Sequence, residues 1–135
     1  MCVTGSGKIR AIKSLDLAAA GEVAPSIAAI LAFADGVSEL RGIAHLRGHE
    51  TNRLSAIVTE LNRVGIGADE LDDGIRIIPS KNMHGEVIET YADHRMATFA
   101  SMLGLRISNI SVKNIATTRK TLPDFPTMWN NMLKE

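Results

Sequence analysis

The sequence predicts an α/β chain in which short strands alternate with helices, in the order strand, helix, strand, helix, hairpin. Three observations carry this reading. The apolar period switches from two residues to about 3.6 and back between residues 8 and 65, an Asp73-Gly74 pair separates two short strand-like runs, and the same order of elements restarts after Pro79.

The elements follow one by one. KIRAIKSLDL, at 8–17, alternates apolar and polar residues and reads as a half-buried strand. GEVAPSIAAILAFADG, at 21–36, carries Pro25 near its start, where a missing amide is harmless, and is apolar on nearly every face, so it reads as a helix buried on most sides. VSELRGIAHL at 37–46 is a second strand. HETNRLSAIVTELNRVG at 49–65 is an amphipathic helix, with Leu54, Ile57, Val58 and Leu61 as its stripe and Gly65 as its stop. GADELDDGIRIIP at 67–79 is a hairpin turning at Asp73-Gly74. Beyond Pro79 come a strand at 84–91, a helix at 93–105, a strand at 110–115 and a last helix at 123–135. The chain therefore reads as one partial domain over 1–135, with one full unit at about 8–79 and most of a second at about 82–135.

Composition narrows the function. With 45% hydrophobic residues, the 135-residue chain can bury one modest core. Fifteen basic residues balance fifteen acidic ones, so no net positive field favours nucleic acid or an anionic membrane, and 4% aromatic content offers little for stacking bases. Cys2 alone can close no internal disulfide, and no run of about 20 apolar residues offers a span. A reducing, cytoplasmic setting is the expectation.

The unusual polar residues fall at predicted helix starts: Glu22 before Pro25, His49, Glu50 and Arg53 opening the second helix, Asp93, His94 and Arg95 opening the third, and Arg119 and Lys120 before the fourth. Cations in a first turn oppose the helix dipole, whereas an anion bound there is favoured by the free N–H groups. Taken singly, each is an ordinary surface charge, and Asp93 is an ordinary N-cap. Together, basic groups at three successive helix starts form a pattern that converges on an anion, because such connections bring alternate helix ends to one side of a sheet. On a helix Glu50 and His49 would share a face with Arg53, three and four residues on, placing a carboxyl able to move a proton beside a guanidinium. Two other patterns fail. TGSGKI lacks the glycine and the hydroxyl residue that a phosphate loop needs at Cys2 and Ile9, and His45 with His49 lacks further metal ligands. No metal site is expected.

HLRGHETNRL (45–54), YADHRMA (91–97) and TRKTLPDFP (118–126), with VTGSG (3–7) and GEVAPSIAAILA (21–32) upstream, resemble in order and spacing the C-terminal part of the 3-phosphoshikimate 1-carboxyvinyltransferase (EPSP synthase) family. The resemblance implies repeated βαβαββ units of the enolpyruvyl transferase fold, helices inside and sheet outside. It implies a C-terminal fragment holding roughly two of six units. It further implies transfer of the enolpyruvyl group of phosphoenolpyruvate to the 5-hydroxyl of shikimate 3-phosphate, with loss of phosphate and no metal or organic cofactor. By matching position, Arg53, Arg95 and Lys120 look like the groups that hold phosphoenolpyruvate, Lys120 also serving catalysis. Glu50 matches a carboxylate implicated in proton transfer at the methylene carbon, and Glu22 stands where most members carry the Asp regarded as the base for the 5-hydroxyl. His49 replaces a Lys that touches the shikimate moiety; Asp93 and His94 cap and orient. The expected partners are the two substrates and the missing N-terminal domain, with self-association of the fragment and no activity from it alone. The rivals are the related UDP-N-acetylglucosamine enolpyruvyl transferases and a non-catalytic anion-binding or assembly module.

Overall fold

Helices α1 (Ala24–Leu31), α2 (Arg53–Arg63) and α3 (His94–Leu103) pack on one another beside a four-stranded sheet in the computed structural model, which describes residues 2, 4, 5 and 7–134. Val3 and Ser6 of the 3–7 stretch lie outside the described residues. The sheet runs β1 (Leu15–Asp16), β2 (Ser38–Arg41), β4 (Gly74–Ile78), β3 (Gly67–Leu71), with β1 and β2 parallel and the other pairs antiparallel. A second sheet pairs β5 (Val87–Ile88) in parallel with β6 (Ser111–Val112), and α4 (Phe125–Met132) closes the order. The sequence β5-α3-β6-α4 thus repeats β1-α1-β2-α2 in order and in strand direction.

The core explains the arrangement. Ala28, Leu31, Leu54, Ile57, Leu61, Ile75, Ile77, Phe99 and Leu103 are buried in one cluster, and α1 lies against α3, with Ala24, Ala28 and Ala29 buried on the one and Ala97 and Ala100 on the other. The expected all-round burial of α1 is only partial, since Ile30 stays exposed.

Several expected boundaries move, each for a local reason. The strand expected over 8–17 is regular only at Leu15–Asp16, because side chains take its donors: Asp35 Oδ1 accepts from Ala11 N at 2.8 Å and Ser38 Oγ from Ile12 N at 3.0 Å. The strand expected over 37–46 stops at Arg41, where Gly42 turns the chain at φ 72°, and residues Ala44–Gly48 form a 3-10 turn. The hairpin turns at Asp72 and Asp73, one residue earlier than expected, and Gly74 already pairs with Leu71. A Cβ on Gly74 would sit 1.8 Å from Leu40 O, so the glycine serves the close approach of β2 rather than the turn.

Helix α2 begins at Arg53, later than expected, because Asn52 caps it by accepting from Ser55 N at 3.2 Å. His49 and Glu50 therefore belong to the preceding loop and do not share a helical face with Arg53. Lys120 is also displaced: it ends a 3-10 turn, Ile115–Lys120, five residues before α4. The expected position of Asp93 as N-cap of α3 matches the structure, its Oδ1 accepting from Arg95 N at 2.8 Å.

Candidate functional site

Arg53 is the centre of a charge cluster at the first turns of the helices. Its side chain is 1% exposed, and it donates from Nε to Asp93 Oδ2 at 2.7 Å, from one terminal nitrogen to both Glu22 oxygens at 3.1 Å, and from the other to Glu50 Oε2 at 2.9 Å. Burying a guanidinium demands such pairing, and three carboxylates supply it. Glu22 is brought in by the 3-10 turn Gly21–Val23 ahead of α1, Glu50 by the loop capped by Asn52, and Asp93 by the start of α3.

The cluster extends outward from that centre. Arg95 Nε forms an ion pair with Glu22 Oε2, and Lys120 Nζ donates to Glu50 Oε1. His49 Nδ1 lies 3.1 Å from Glu22 Oε1 and 3.3 Å from Arg53. Lys120, Glu50, Arg53, Glu22, Arg95, Asp93 and His49 thus form one continuous network. His94, next in line, has Nδ1 4.0 Å from Asp93 Oδ1.

The electrostatics follow from these contacts. The hydrogen bond from Lys120, with a backbone hydrogen bond and the Arg53 charge, holds the Glu50 carboxyl down to about 2. Partial burial pushes Glu22 up, but the charges of Arg53 and Arg95 outweigh it and hold the carboxyl below its usual range. Burial pulls Arg53 down while the bond to Asp93 and the nearby carboxylates raise it further, so it stays charged. At neutral pH Glu22 and Glu50 are carboxylates that can accept protons. The outer cations are the accessible ones: Lys120 is 60% exposed and Arg95 36%, whereas Arg53, 1% exposed, donates its N–H groups to carboxylates. Among the described residues, no group of three or more His, Cys, Asp or Glu is placed to hold a metal ion, and no helix is long and apolar enough to cross a membrane.

The family model of EPSP synthase (3-phosphoshikimate 1-carboxyvinyltransferase) matches residues 3–129, a span that contains the whole cluster. The chain belongs to the EPSP synthase family. Two relatives named 3-phosphoshikimate 1-carboxyvinyltransferase are similar to it. One, from Bifidobacterium longum (strain DJO10A), is 63% identical over 98% of this chain and 30% of its own length. The other, from Kocuria rhizophila, is 54% identical over 97% of this chain and 29% of its own length. An EPSP synthase structure from Acinetobacter baumannii superposes with TM-score 0.73 and 32% identity over 79% of this chain and 26% of that one. The chain thus spans about 30% of the length of the curated relatives it matches. The family fold agrees with the repeated α/β order, and the UDP-N-acetylglucosamine alternative is not favoured.

Residue-type reasoning assembled the cluster from its charges but passed over a separate hydrogen-bonded pair on α2 and the turn before α3. Glu60 reads as a solvated charge on α2, yet it is buried, and Tyr91 donates to it from Oη at 2.7 Å. The usable signal was spacing: Glu60 lies seven residues after Arg53, two turns along the same face.

Proposed function

We propose that this chain forms one wall of the active site that moves the enolpyruvyl group of phosphoenolpyruvate to the 5-hydroxyl of shikimate 3-phosphate. The remaining wall comes from the part of the enzyme that the relatives carry outside the matched span. The carrying observation is the convergence of Glu22, Glu50, Arg53, Arg95 and Lys120, from four separate stretches, into one bonded network.

Arg95 and Lys120, the more exposed cations, take the phosphate and carboxylate of phosphoenolpyruvate. Arg53 frames Glu22 and Glu50 and offers an N–H edge as either carboxylate swings away. As Lys120 moves to the substrate, Glu50 loses the bond that holds its carboxyl near 2, and its proton affinity rises. Glu50 then takes up a proton from solvent water and delivers it to the methylene carbon. Glu22 takes the 5-hydroxyl proton as that oxygen bonds to the adjacent carbon. When the bond to phosphate breaks, Glu50 takes a proton back from the methyl group and the double bond re-forms. His49 lies beside Glu22 to touch the shikimate moiety, with Asp93 and His94 orienting the start of α3.

Grafting this chain in place of the matching segment of the Bifidobacterium longum relative tests the reading. The chimera should release phosphate only with both substrates, and Glu50→Gln should lower turnover by at least a hundredfold. A folded chimera that binds neither substrate would overturn it and move the chain to the anion-binding or assembly class.

A further inference from the structure

The two residues before Asp93 occupy a backbone conformation that their side chains disfavour. Tyr91 has φ 54° and Ala92 φ 56°, and Asp93 N donates to Thr90 O at 2.8 Å, closing a tight turn across both. Such a turn ordinarily carries Asn, Asp or Gly at its centre, because a Cβ crowds the following carbonyl in the left-handed region at a cost in stability. Neither Tyr nor Ala relieves that cost, so something else must hold the turn.

The holding group lies on α2. Glu60 is fully buried, and its carboxylate takes a hydrogen bond from Tyr91 Oη at 2.7 Å on one oxygen. The other oxygen lies 3.0 Å from Arg63 Nε and 3.4 Å from Glu89 N. A buried carboxylate with both oxygens engaged makes a stiff anchor. Seven residues earlier on the same helix, Arg53 holds the other end of the turn through Asp93. The Tyr91–Asp93 segment is therefore tied to α2 at two points about 10 Å apart along the axis.

We propose that Glu60 and Tyr91 are positioning residues: their hydrogen bond holds the left-handed Tyr91–Ala92 turn, which aims Asp93 at Arg53 and sets Arg95 at the start of α3. Burial and the Glu60 carboxylate keep the phenol protonated, so the donor persists across the working pH range. The consequence for catalysis rests on the proposed function above; the bracing itself does not.

Two measurements separate these. In the chain itself, hydrogen exchange at Arg53 Nε–H, followed by NMR, should accelerate about tenfold or more in Tyr91→Phe, which keeps the ring and removes the donor. Adding Ala92→Gly should restore protection, because glycine adopts the left-handed turn without help. Glu60→Gln, which keeps an acceptor for Tyr91, should fall between wild type and Glu60→Ala. In the chimera, Tyr91→Phe should lower kcat about tenfold with less change in KM for shikimate 3-phosphate, and Ala92→Gly should rescue it. Unchanged exchange in Tyr91→Phe, or failure of Ala92→Gly to restore it, overturns the bracing. A silent wild-type chimera overturns the function and leaves the exchange result to judge the brace.

Discussion

Asp93 divides its two oxygens between two tasks, and replacing it separates them. Oδ1 caps α3 through Arg95 N at 2.8 Å, and Oδ2 accepts from Arg53 Nε at 2.7 Å. Asp93→Ala removes both, leaving a guanidinium that is 1% exposed without its innermost partner. Loss of one member of a buried pair costs about 3–5 kcal/mol, and the lost cap contributes about 1 kcal/mol within that range. Asp93→Asn keeps one oxygen. It can cap α3 or accept from Arg53, but its amide must then face an N–H donor at the other, so about 2–3 kcal/mol is lost. Against a typical total of about 5–15 kcal/mol, the alanine variant stands near the edge of folding. Urea unfolding followed by circular dichroism measures both, with an unchanged m-value showing that stability alone has moved. The double variant Arg53→Met with Asp93→Ala should be more stable than Asp93→Ala alone, because the buried Nε–H left without an acceptor is gone. An Asp93→Ala loss below about 1 kcal/mol, or a double variant no better than the single, refutes the claim that Arg53 is held by this carboxylate.

Two further outcomes follow from the perturbed acids. Lys120→Ala should raise the Glu50 carboxyl from about 2 toward the ordinary 4.5, read by carboxyl NMR titration. With the folded value depressed, the stability that Glu50 contributes is full above 4.5 and is lost as pH falls toward about 2; the substitution should flatten that acid limb. Tyr91 is the chain's single tyrosine, so its ultraviolet titration is unambiguous: burial, aided by Glu60, should place ionisation near 12 in the folded chain against 10 in the unfolded one. That raised value leaves stability unaffected below 10 and removes it as pH climbs toward 12.

The order of elements was legible because period carries it: each switch between two-residue and helical spacing marks a real strand or helix from β2 to α4. Boundaries failed where a side chain competes with the backbone. Asp35 and Ser38 take the donors of the first strand, and Asn52 starts α2 beyond Glu50, and no apolar pattern records those bonds. The cluster was legible as charges placed badly for their helices. Its wiring was not, since Glu22 reaches Arg53 across 31 residues and Arg53 reaches Asp93 across 40. Glu60 was hidden for a different reason: a glutamate beside apolar neighbours looks like a solvated edge until a tyrosine from another element arrives to bury it.

The network around Arg53 carries its own counter-ions. Glu22, Glu50 and Asp93 offset Arg53, Arg95 and Lys120 charge for charge, so the cluster projects little net field. An anion arriving there is not captured by a positive basin, but must trade places with a carboxylate already in possession. Simple ions such as chloride or sulfate gain little from that exchange. On the proposed function, a ligand that presents several anionic groups at once, and a hydroxyl or carbon for the displaced carboxylate to address, would gain from each swap, and the site would be selective through competition rather than attraction.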